Sequence, residues 1–163
     1  MNRWVVDTNV PVVANGRNDN GRKRVSPSCQ KSTITFLMEL HASGKILLDR
    51  KGEMQKEYRR YLNPKGQPGV GDRFYQSILQ RPDKIERFDL DKNAAGEYID
   101  LLAAIVGAGF DPDDRKFAAM SVKEGVPVVN ATDSDWAKNR ALLEASGIQI
   151  RFLCGCAPAA WYE

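Results

Sequence analysis

Trp4-Val5-Val6-Asp7-Thr8-Asn9-Val10 begins as a β-branched apolar run and turns polar, the pattern of a buried parallel strand handing over to a functional loop. Asp7 then stands at the carboxyl end of the first strand. The same transition recurs where Pro127-Val128-Val129-Asn130-Ala131 runs into Thr132-Asp133-Ser134-Asp135. Ile46-Leu47-Leu48, residues 85 to 90 and Ile148 to Leu153 supply further short strands.

Helical periodicity fills the intervals. Ile34, Leu37, Met38 and His41 share one face of a helix from Ser28 to Ser43, stopped by Gly44. On that face His41 reads as a packed side chain rather than a ligand. Met54, Tyr58, Tyr61 and Leu62 define a helix from Glu53 to Leu62, closed by Asn63-Pro64, with Glu53 and Glu57 on one face. Further helices are expected at 72 to 80, Ala94 to Val106, Arg115 to Lys123 and Trp136 to Ser146. Residues 15 to 28 (NGRNDNGRKRVSPS) and 64 to 71 (PKGQPGVG) lack periodicity and read as loops. Strands alternating with helices favour an open α/β sheet with parallel strands, because a crossover helix returns the chain in register. Ligands bind such sheets beyond the strands' carboxyl ends, where Asp7, Asp133 and Asp135 would converge.

Composition, at 42% hydrophobic and 28% charged, is ordinary globular usage and agrees with one domain over residues 1 to 163. No run approaches the roughly 18 apolar residues of a membrane helix, and the N-terminus lacks a signal-peptide pattern, so a cytoplasmic protein is expected. Cys29, Cys154 and Cys156 are too few and too unevenly placed for a disulfide framework, and Cys154-Gly155-Cys156 reads as a reduced tail. With His41 the sole histidine, zinc is disfavoured too.

Each acid has an ordinary reading as a turn, cap or surface residue. Together they repel one another and raise each other's pKa unless a cation neutralises them. Oxygen-only ligation suits Mg²⁺ or Mn²⁺. Two such ions roughly 3.5 to 4 Å apart can hydrolyse a phosphodiester without histidine or cysteine.

Val5-Val6-Asp7-Thr8-Asn9-Val10, Asp114-Arg115-Lys116-Phe117-Ala118-Ala119 and Asn130-Ala131-Thr132-Asp133-Ser134-Asp135-Trp136 resemble the PIN-domain nucleases, VapC-like toxins among them, over nearly the whole chain. The resemblance implies a three-layer α/β/α sandwich around a mainly parallel sheet. It also implies metal-dependent cleavage of nucleic acid, usually RNA, and frequent service as the toxin of a toxin and antitoxin pair. By position, Asp7, Glu57, Asp114 and Asp133 match the family's catalytic and metal-binding acids, with Asp135 as an accessory metal ligand. Asn9 matches the residue that steadies the first aspartate, and Thr132 a hydroxyl contact for phosphate. Asp111 and Asp113 compete with Asp114, and Glu53 competes with Glu57. PIN relatives often form homodimers.

The net charge of +3 is unevenly distributed. Arg22, Lys23, Arg24, Arg59 and Arg60 are candidate contacts to a phosphate backbone, against a plain solvated surface. Trp136 reads as a core anchor rather than a base-stacking platform. The leading expectation is an endoribonuclease, with DNA cleavage equally compatible with the ligand set. The alternative is a catalytically idle nucleic-acid or protein-binding module. A phosphatase reading is weakened because Asn9 stands where a second aspartate would follow Asp7.

Overall fold

Five strands, β1 (Asn2–Val6), β2 (Gly44–Asp49), β3 (Ile85–Phe88), β4 (Val128–Asn130) and β5 (Ile150–Phe152), form one sheet in the order β3-β2-β1-β4-β5, with every pairing parallel. The computed structural model describes residues 2–17 and 23–163. Val5, Val6, Leu47, Leu48, Val128 and Val129 are wholly buried, because a parallel sheet covered by helices leaves neither face in water.

The helices are α1 (Asn9–Ala14), α2 (Pro27–Ser43), α3 (Glu53–Tyr61), α4 (Val70–Gln80), α5 (Ala103–Gly107), α6 (Arg115–Glu124), α7 (Ser134–Lys138) and α8 (Arg140–Ala145). α1, α2 and α4 pack on one another and α6 packs on β1, β2 and β4; the right-handed rule for parallel crossovers, applied to the strand order, assigns the two groups to opposite sides of the sheet. α3 meets β2 and α6 at the carboxyl edge, where the Tyr58 hydroxyl donates to the carbonyl of Val6. The architecture is therefore an α/β/α sandwich. Gly71 permits the close approach of α4 to α1, since a Cβ there would stand 1.9 Å from the Pro11 carbonyl oxygen.

Several local expectations are corrected. Asn9 and Val10 belong to α1, whose first turn tolerates Pro11. The buried face of α2 carries Phe36, Leu37 and Leu40, while Met38 is 63% exposed and His41 is also exposed. Two overlapping sets of three-and-four spacing exist on that helix, and packing against α1 and α4 selects between them. The helix expected over Ala94 to Val106 shrinks to α5. Before it, Asn93 Oδ1 accepts from the backbone N–H groups of Ala95 and Glu97 at 2.9 and 3.1 Å, and Gly96 has φ +79°, so a turn wins over helix. The helix expected over Trp136 to Ser146 is divided at Asn139, whose side chain donates back to the Asp135 carbonyl at 2.9 Å.

The cysteines are not all reduced. Cys29 on α2 and Cys154 just after β5 form a disulfide across 125 residues with Cα atoms 4.9 Å apart, and nothing in their spacing signals that these two elements are neighbours. Cys156 is free and exposed. Among the described residues no helix is long and apolar enough to cross a membrane.

Thiol titration of the denatured, unreduced protein should therefore find one reactive cysteine. Reduction should lower the unfolding free energy by about 4 to 5 kcal/mol, the chain-entropy value for so long a loop. Three reactive thiols before reduction would refute the link.

Candidate metal centre

β1 and β4 are neighbours, but the chain proceeds from them toward opposite edges of the sheet, so their carboxyl ends border the crevice where open α/β sheets take ligands. The Asp7 N–H donates to the Val129 carbonyl at 3.1 Å and extends the pairing past the strand. Asn9 then stitches the two ends together. Its Oδ1 accepts from the N–H groups of Ala131 and Thr132 at 2.8 and 3.2 Å, and its Nδ2 donates to Asp7 Oδ2 at 3.0 Å and Asn130 Oδ1 at 2.7 Å. Asn130 shapes the next turn, donating to the Asp133 carbonyl at 3.2 Å and accepting from its N–H at 3.3 Å. Asp133 caps α7 by accepting from the Asp135 N–H at 3.0 Å. Asp114 arrives separately, on a 3₁₀ turn (Pro112–Asp114) leading into α6.

Asp7, Asp114 and Asp133 each bring a carboxylate oxygen within 4.8 Å of the others. Asp7 and Asp114 are buried, and Asp114 Oδ2 has no hydrogen-bond partner. Burial, followed by the charges of Asp133 and Glu57, lifts the Asp7 carboxyl well above the usual range. Asp114 is pushed up to about 12 by burial and then by Asp7 and Asp133. Asp133 is also raised, chiefly by burial. A cluster of hard oxygens with one orphaned oxygen and no sulfur or imidazole donor fits Mg²⁺ or Mn²⁺.

Glu57 is buried beside this cluster but engaged elsewhere. Its Oε1 accepts from Lys116 Nζ at 2.7 Å and its Oε2 from the Thr8 hydroxyl. Glu53 instead binds Tyr98 and Lys92. Asp135 is spent on structure: Oδ2 accepts from the Asp111 N–H at 2.7 Å and Oδ1 from Asn139 at 3.1 Å. Asp111 and Asp113 are exposed. Thr132 is half-buried, and Arg59 and Arg60 are exposed in the last turn of α3. Lys23 lies 5.6 Å from the Tyr162 ring centroid, and Arg24 is 3.7 Å from Glu163. Arg22 lies outside the described residues.

Three participants escaped the sequence reading. Trp136 is buried, edge-on to Phe110 at 4.9 Å, and its Nε1 donates to Asp7 Oδ2 at 2.6 Å. A buried indole N–H needs an acceptor, but nothing in the sequence says which. Asn130 had a signal in being a polar residue at the end of a Val-Val strand. Lys116 had one in standing four residues before the buried Met120 on α6.

A folded-state pKa above the unfolded value means that the metal-free fold keeps a proton the unfolded chain has released, so this contribution is lost as pH rises. Asp114→Asn should therefore gain melting temperature relative to wild type between about pH 4 and about pH 8. It should also lose the stabilisation that Mn²⁺ gives wild type at the upper pH. A gap that does not change with pH would contradict the cluster.

No protein-family model and no curated protein matches the chain. Among solved structures it is similar to VapBC2 from Rickettsia felis bound to a DNA fragment from their promoter, at 12% identity over 92% of this chain and 98% of that chain, with a TM-score of 0.48.

Proposed function

We propose that this chain is a divalent-metal-dependent endonuclease of the PIN type that hydrolyses phosphodiester bonds, with RNA favoured over DNA. The observation that carries the reading is the buried convergence of Asp7, Asp114 and Asp133 around an unpartnered carboxylate oxygen. Its motifs' resemblance to PIN-domain nucleases supports nucleic acid as the substrate. Asp7, Asp114 and Asp133 would hold Mg²⁺ or Mn²⁺, which when bound supplies Lewis acidity toward the phosphate and a more acidic water.

The protein's own groups do the positioning. Asn9 and Trp136 both bond Asp7 through Oδ2 and so fix the orientation of that carboxylate, as outer-sphere partners of metal ligands do. Thr132, Arg59 and Arg60, with Arg22, Lys23 and Arg24, are the proposed contacts to the sugar-phosphate chain, where cations set register and affinity. A protein inhibitor of the antitoxin kind, a homodimer and a cytoplasmic location belong to the same proposal.

Labelled single-stranded RNA and DNA incubated with Mn²⁺, Mg²⁺ or EDTA test it. Wild type should yield metal-dependent products from RNA, Asp7→Asn should yield none, and Trp136→Phe should slow cleavage by about 10- to 100-fold, the usual range for an outer-sphere partner. Cleavage that persists in EDTA, or an Asp7→Asn variant at the wild-type rate, overturns the assignment. RNA binding that is indifferent to chelator and never yields product identifies the idle module instead.

A further inference from the structure

Lys116 is a cation built into the wall of an acidic pocket. It is 9% exposed, sits on the first turn of α6 two residues after Asp114, and lies 5.1 Å from the Phe117 ring centroid. Its ammonium donates to Glu57 Oε1 at 2.7 Å and to the Asp113 carbonyl at 2.6 Å. Since Glu57 Oε2 accepts from Thr8, both oxygens of this carboxylate are already engaged by protein donors. Asp114 Oδ2 has no partner at all. The four acids therefore divide into three that face one another without a cation and one that has its own. A divalent ion placed on Glu57 would stand against the ammonium in a poorly solvated site, where like charges repel far more strongly than in water.

We propose that Lys116 is a resident cation that occupies Glu57 and so limits the pocket to a single divalent ion, held by Asp7, Asp114 and Asp133. Removing its charge frees Glu57 to bring in a second ion. This rests on the reading of the pocket as a metal centre and refines it. Lys116 acts through Glu57 and is a positioning residue.

Titrating the full chain with Mn²⁺, with free ion followed by electron paramagnetic resonance, reads the stoichiometry directly and does not depend on turnover. Wild type should saturate with one ion and Lys116→Met with two. Lys116→Arg, which keeps the charge, should remain at one. Glu57→Gln should also retain one ion, because Glu57 is not among its ligands, and if Lys116→Met does not fold by circular dichroism, Lys116→Gln, which removes the charge but keeps a donor for Glu57, should saturate with two. A wild type that binds two ions, or a folded Lys116→Met or Lys116→Gln that still binds one, overturns the role of Lys116 and leaves the three-aspartate centre standing. A Glu57→Gln variant that binds none overturns it by making Glu57 a ligand. A wild type that binds no Mn²⁺ overturns the metal centre itself.

Discussion

Three carboxylates within 4.8 Å of one another in a buried crevice form an arrangement that the chain must hold against its own repulsion. Removing such ions from water costs several kcal/mol each, so the groups that hold them must be fixed by something other than the attraction among them. The fixing groups are neutral. Parallel pairing of β1 with β4 sets the separation of the two strand ends, Asn9 ties them with its amide, Asn130 closes the turn that presents Asp133, and the Trp136 indole orients Asp7. A frame made of backbone and amide hydrogen bonds brings no positive charge of its own to these three acids. The balancing charge has to arrive as a proton or as an ion.

The Glu57–Lys116 pair follows the opposite rule, because its counter-charge is covalently part of the chain. It joins α3 to α6 beside aromatic packing in which Tyr58 lies 5.5 Å from Phe74 and 6.2 Å from Phe117. Buried pairs of this kind add little net stability over an apolar substitute, yet losing one partner is costly. What the pair contributes is position: it fixes where α6 starts relative to α3, and Asp114 is the residue immediately before α6.

Much of the sheet was legible because parallel strands buried on both faces read as plain apolar runs, and Asp7 stands one residue beyond such a run. The choice among Asp111, Asp113 and Asp114 was not legible, since it depends on how a 3₁₀ turn rotates three acids relative to the crevice, leaving two of them in water. Nor was the engagement of Glu57 with Lys116, which are 59 residues apart. The helix over Ala94 to Val106 failed for a local reason, as Gly96 takes the left-handed conformation at φ +79° and the chain folds back so that Lys92 bridges Tyr98. Cys29 and Cys154 meet only because α2 and the end of β5 are brought together by elements between them.

That same junction decides which cations share an element with the centre. The segment after β5 returns to the start of α2, where Val25 bridges Tyr162, the Ser26 N–H donates to the Trp161 carbonyl at 2.9 Å, and Trp161 is fully buried. Lys23 and Arg24 are drawn with it toward Tyr162 and Glu163, so their positions follow the C-terminal segment. Arg59 and Arg60 follow Glu57 on the same short helix, about 3 to 5 Å further along its axis, and both are exposed. Their separation from Glu57 is set by helical geometry, which leaves α3 the element that couples an exposed positive surface to the buried acidic pocket.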